Sequence, residues 1–103
     1  MGWADSAIEK LKRGESVKIN PRGNSMQPLI NSGDCVELAP ITRSLNIGDI
    51  VLCKVKGSQY LHKIKAIGQD GRYLIQNNRG FENGWTSTIY GVLIENHTRK
   101  PKI

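Results

Sequence analysis

The chain has 103 residues, 38% of them apolar and 23% charged, with a formal charge of +6 at pH 7. That length suits one domain with a core of its own, and the composition is that of a globular chain rather than a disordered or fibrous one. No run of eighteen apolar residues occurs, which argues against a membrane-spanning helix. Residues 1–16 lack the apolar stretch of a secretory leader, so a soluble, cytoplasmic protein is expected.

In chain order, residues 5–13 (DSAIEKLKR) predict a short helix, capped by Asp5 or Ser6, with Ile8 and Leu11 on one face and Gly14 as its stop. Residues 16–19 alternate as a strand, 20–24 (NPRGN) turn, and 34–38 form a second strand closed by Ala39-Pro40. Residues 46–49 (NIGD) turn into strand 50–55, and 56–59 (KGSQ) is a hairpin loop before the return strand 60–67. The turn 69–71 (QDG) precedes strand 72–75, residues 77–84 (NNRGFENG) form a long polar loop, and 87–94 form the last strand. Short strands with frequent turn signals predict a mainly β fold, a coiled antiparallel sheet or small barrel with a short N-terminal helix. The predicted organisation is a helical segment 1–15, a β domain 16–95 and a basic tail 96–103.

The two cysteines, Cys35 and Cys53, match no metal-ligand spacing, and no metal or cofactor is expected. Free thiols in a reducing compartment are the simpler reading, with a disulfide between two strands as the alternative. The positive charges are dispersed: Lys10, Lys12 and Arg13, then Lys54 and Lys56, Lys63 and Lys65, and a tail with Arg99, Lys100 and Lys102. They do not interleave with the six aromatic residues, so a solvated basic surface is preferred over a nucleic-acid site.

The segment 23–34 (GNSMQPLINSGD) is the most informative part of the chain. Ser25 stands in a glycine-containing turn before Met-x-Pro, a setting for an exposed nucleophile. His62 follows 37 positions later on a predicted strand and is a candidate base for it. Strand alternation puts Tyr60, His62, Ile64 and Ala66 on one face, read as the cleft lining. Leu61, Lys63 and Lys65 take the other, read as solvated. Gly23 and Asn24 would aim the Ser25 N–H at a developing oxyanion, and Met26 would pack beneath the turn. Asp34 and Asp49 are expected to bond turn backbone.

Gly23-Asn-Ser25-Met26-x-Pro28, Gly33-Asp34-x-Val36, Gly48-Asp49-Ile-Val51, His62-Lys63-Ile64 and Tyr90-Gly91-Val92 occur in this order. In that series, over about residues 16–95, the chain resembles the serine-protease group of type I signal peptidases and LexA-like self-cleaving repressors. It looks like a stand-alone, phage-type catalytic domain of that group. The resemblance implies Ser25 as nucleophile and places His62 where the group usually has a lysine base, with Lys63 as the alternative base. Signal peptidases of the endoplasmic-reticulum type have His-Arg at that pair. They also carry a Gly-Asp-Asn whose aspartate assists the site. Here residues 75–78 read Ile-Gln-Asn-Asn, so Asn77 or Asn78 is the candidate to orient His62. A slow enzyme, or one needing a partner, is expected.

The group's substrates are extended segments with a small residue, often Ala, before the scissile bond. No Ala-Gly pair, upstream DNA-binding domain or anchor is recognised in the sequence, so cleavage of another protein in trans is expected. The alternative is a weak or inactive protease-fold module that holds a host or phage protein; a dimer is compatible with either. Phe81 and Trp85 are candidate anchors at the substrate or partner rim, beside Met26. Trp85 as a barrel plug is the structural alternative. Trp3 is expected to pack the helix onto the sheet.

Overall fold

The computed structural model describes residues 3–99. Its elements are α1 (Asp5–Lys12), β1 (Val17–Ile19), β2 (Val36–Ala39), β3 (Ile50–Val55), β4 (Ser58–Ile67), β5 (Tyr73–Gln76), β6 (Glu82–Thr86), β7 (Ile89–Asn96) and a final 3-10 turn, His97–Arg99. The strands make one antiparallel sheet in the order β1-β2-β7-β3-β4-β5-β6. The mainly β expectation therefore holds.

Strand β3 explains why the sheet coils. It sits between β7 and β4 and buries both of its faces, because Val51, Leu52, Cys53 and Val55 are all apolar. Leu52 faces one core with Leu61, Val36, Leu38, Met26 and the α1 residues Ala7, Ile8 and Leu11. Val51, Cys53 and Val55 face a second core with Leu45, Ile64, Ile75 and Val92. Each of these fully buried aliphatic side chains contributes about 1.5–3 kcal/mol relative to exposure. The far strand curls back onto β3: Thr86 Oγ1 donates to Lys54 O at 2.6 Å, and Lys54 N–H donates to Thr88 O at 3.1 Å.

Several expectations need correction. The residue before α1 is Ala4 and makes no side-chain cap; Asp5 and Ser6 lie inside the helix. Gly14 does stop the helix, with a φ of 83° and its N–H on Leu11 O at 3.0 Å. The polar loop is shorter than predicted, because β6 begins at Glu82. The last strand runs to Asn96 and the tail starts with a turn, while Lys100 and Lys102 lie outside the described residues. Leu61 is buried in the α1 core rather than solvated, because the helix covers that face of β4. Cys35 and Cys53 are free thiols, and burial pushes Cys53 up to about 12.

Candidate active site

The segment between β1 and β2 is a compact loop pinned at its base. Gly33 N–H donates to Pro21 O at 2.8 Å, and Asn20 Nδ2 donates to Gly33 O at 3.2 Å. Met26 and Ile30 drop into the α1 core, and Ile30 N–H donates to Met26 O at 2.9 Å. With Met26 anchored below, Ser25 is lifted to the mouth of a cleft. Gly23 has a φ of 111°, a left-handed conformation that favours glycine. Its N–H is occupied by Ser32 Oγ at 3.2 Å, so it is not a free oxyanion donor. Asn24 O accepts from Gln27 N–H at 3.2 Å and its Oδ1 from Gln27 Nε2 at 3.3 Å, so Asn24 shapes the turn. The Ser25 N–H has no acceptor among the described residues. Asp34 and Asp49 do bond turn backbone, taking the N–H of Asn31 and of Asn46 at 2.9 and 2.8 Å.

His62 stands on β4 opposite Val51 of β3, 7% exposed. Its Nε2 lies 3.0 Å from Ser25 Oγ. Its Nδ1 lies 2.7 Å from Asn83 Oδ1. A carbonyl oxygen only accepts, so Nδ1 carries the ring proton and Nε2 turns its lone pair to the Ser25 hydroxyl. Burial pulls the His62 pKa below its ordinary 6.5, and the bond to Asn83 offsets this only in part. Tyr60 stacks on the ring, with centroids 5.1 Å apart. The result is a neutral imidazole of fixed tautomer held against a serine hydroxyl.

The partner of His62 is thus Asn83 on β6, not Asn77 or Asn78. Asn77 Oδ1 accepts from the N–H groups of Arg79 and Phe81, both at 2.9 Å, and organises the β5–β6 turn. Asn78 grips the Ser25 turn. Its N–H donates to Ser25 O and its Nδ2 to Gln27 O, both at 2.8 Å, while its Oδ1 accepts from Lys63 Nζ at 3.0 Å. Lys63 therefore points at Asn78, and the group against Ser25 Oγ is His62. Asn83 is missing from the predicted site because residues 77–84 read as a loop; the two buried positions of β6, Asn83 and Thr86, are polar and three apart, so they leave no apolar alternation to read.

The cleft beside Ser25 and His62 has a volume of about 580 Å³. Met26, Ile30, Leu61, Ile19 and Tyr60 line it, with Trp3 and Arg22 at its margin. Phe81 and Trp85 are not among its walls. Phe81 is 65% exposed, and Trp85, 45% exposed, lies against Gly68 and Arg72 at the far end of β4. Neither is a rim residue, and Trp85 is not a plug. Trp3, 58% exposed, takes the rim place that had been expected of them. Among the described residues, Glu37, Glu95 and His97 are the group spaced for a metal, and none of them lines the cleft.

The family model described as Peptidase S24-like matches residues 6–88, which includes Ser25, His62 and Asn83. Comparison with curated proteins and with solved structures gave no match.

Proposed function

The chain belongs to the peptidase S24-like family, and on that premise we propose that it is a serine endopeptidase whose working groups are Ser25, His62 and Asn83. The carrying observation is the 3.0 Å contact between Ser25 Oγ and the lone-pair nitrogen of His62. As Oγ attacks the scissile carbonyl carbon, its proton passes to Nε2 and the C–O bond forms. The carbonyl oxygen becomes an oxyanion, and the uncommitted Ser25 N–H is its nearest built-in donor. Nε2–H then gives the proton to the amine as the C–N bond breaks, leaving an acyl-serine. Water repeats the sequence, with His62 again taking the proton, and frees the acid.

Asn83 keeps the imidazole in the tautomer the reaction needs, as an asparagine does in papain-like enzymes. It brings no negative charge to balance the imidazolium, so turnover is slow. The substrate is an extended segment of a protein or peptide supplied in trans. The test is hydrolysis of internally quenched peptides by the wild type and its loss in Ser25→Ala. The neutral orienting group also favours a second reading, a protein-binding module built on a weakened protease site. Under that reading no peptide is cut, and Ser25→Ala binds its partner as well as the wild type does.

A further inference from the structure

We infer that Tyr60 is a positioning residue: the face of its ring steadies the His62 imidazole and stabilises the positive charge that His62 takes up with the Ser25 proton. This deepens the peptidase reading, because it names what supports the imidazolium where Asn83 brings no charge. The effect on turnover rests on that reading; the effect on His62 itself does not.

Burial sets the need. His62 is 7% exposed, and its hydrogen-bond partners, the Ser25 hydroxyl and the Asn83 carbonyl oxygen, are both neutral. It makes no ion pair among the described residues, and no Asp or Glu lines the cleft. The neighbouring cation, Lys63, is committed to Asn78 Oδ1. An imidazolium formed there is poorly hydrated and has no carboxylate to balance it.

What it does have is an aromatic face. Tyr60 and His62 are two positions apart on β4, so both side chains leave the same side of the strand. Their ring centroids are 5.1 Å apart and their planes are inclined by 26°. This is inside the distance of about 6 Å at which the negative face of an aromatic ring attracts a cation, and the attraction grows away from water. The stack acts weakly on neutral imidazole and strongly on imidazolium, so it is realised mainly in the transition state.

Tyr60 is also held where it is needed. Its side chain packs against the core of Val51, Cys53 and Val55, and its carbonyl oxygen accepts from Cys53 Sγ at 3.6 Å. The residue before it is tied to the start of α1, because Gln59 Nε2 donates to Asp5 Oδ1 at 3.3 Å.

Three replacements test the inference. Tyr60→Phe keeps a ring face. Tyr60→Leu keeps an apolar side chain without one. Replacement of Tyr60 by pentafluorophenylalanine keeps the ring and reverses the charge of its face, so it decides the matter should Tyr60→Leu fail to fold. NMR titration of the His62 ring, assigned against His97→Gln, needs no substrate; kcat and KM on a quenched peptide are measured separately. Tyr60→Phe should behave as the wild type. Tyr60→Leu and the fluorinated ring should lower the His62 titration by about one pH unit and kcat by about tenfold, with KM little changed. Loss of packing alone would admit water and move the titration the other way, toward 6.5. An unchanged or raised titration in the fluorinated protein overturns the inference. If peptides are still cut at the wild-type rate with that unchanged titration, the inference falls and the peptidase reading stands. If the titration drops as expected but the wild type cuts nothing, the support of His62 by Tyr60 stands and the peptidase reading falls.

Discussion

Replacing Asn83 by Asp changes one atom group at the centre of the site and has a calculable effect. In the wild type the Nδ1–H of His62 donates to a neutral carbonyl oxygen at 2.7 Å, and burial holds the ring below its ordinary 6.5. A carboxylate in the same place makes the hydrogen bond charge-assisted, about twice as strong as a neutral one of about 1 kcal/mol. The extra stabilisation of the imidazolium is thus about 1 kcal/mol, and one pKa unit corresponds to about 1.4 kcal/mol. The ring should therefore titrate higher by somewhat less than one unit. The imidazolium also forms in the transition state, so turnover on its pH plateau should rise about fivefold by the same energy. NMR titration of the His62 ring, assigned by comparison with His97→Gln, reads the shift without requiring catalysis. An unchanged titration in a folded Asn83→Asp protein would refute the placement of Asn83 Oδ1 against Nδ1.

Other outcomes follow from the same geometry. Because His62 resists protonation when folded, the unfolded chain binds more protons below the ordinary 6.5; stability is complete above that value and falls as pH drops through the lowered one, which urea melts across this range will detect. Asn78→Ala releases the Ser25 turn and should slow turnover by about 10²-fold, the cost of a misplacement near 1 Å, with little change in the acidic limb of the rate profile. Lys63→Met should slow turnover less and leave the pH profile in place; complete loss of activity in a folded protein would return the base role to Lys63. Gly91→Ala should destabilise by about 1–3 kcal/mol in denaturant melts, since a Cβ there would lie 2.8 Å from Leu11 Cδ1 and 2.9 Å from Ala39 O. Cys53, with its thiol pushed up to about 12, should resist alkylation at about pH 8 until the protein unfolds.

The sheet was legible because its strands carry β-branched and apolar residues between turns rich in Gly, Asn and Asp, and local chemistry agrees with the global fold there. Ser25 and His62 stood out because a serine in a Gly-containing turn and a histidine in an alternating strand are local patterns. Asn83 did not, because Glu82-Asn-Gly-Trp-Thr86 has poor strand propensity and is held in place by pairing with β5 and by Lys54 of β3. The positions of the aromatic residues are hidden for a related reason. Nothing local says that Trp3 comes to the cleft while Phe81 and Trp85 point elsewhere, since α1 docking and the curl of β6 decide it. Alternation assigns Leu61 to a face of β4 but does not tell that a helix covers that face.

The curl of β6 onto β3 also bears on the two edges of the sheet. A sheet with two open edges can grow head to tail without limit, each copy adding to the next. Here Thr86 and Thr88 tie one end to Lys54, while β1 at the other end has β2 as its single strand neighbour among the described residues. At three residues, Val17–Ile19, that edge is short, and a short edge strand offers little backbone for a neighbouring chain to pair with.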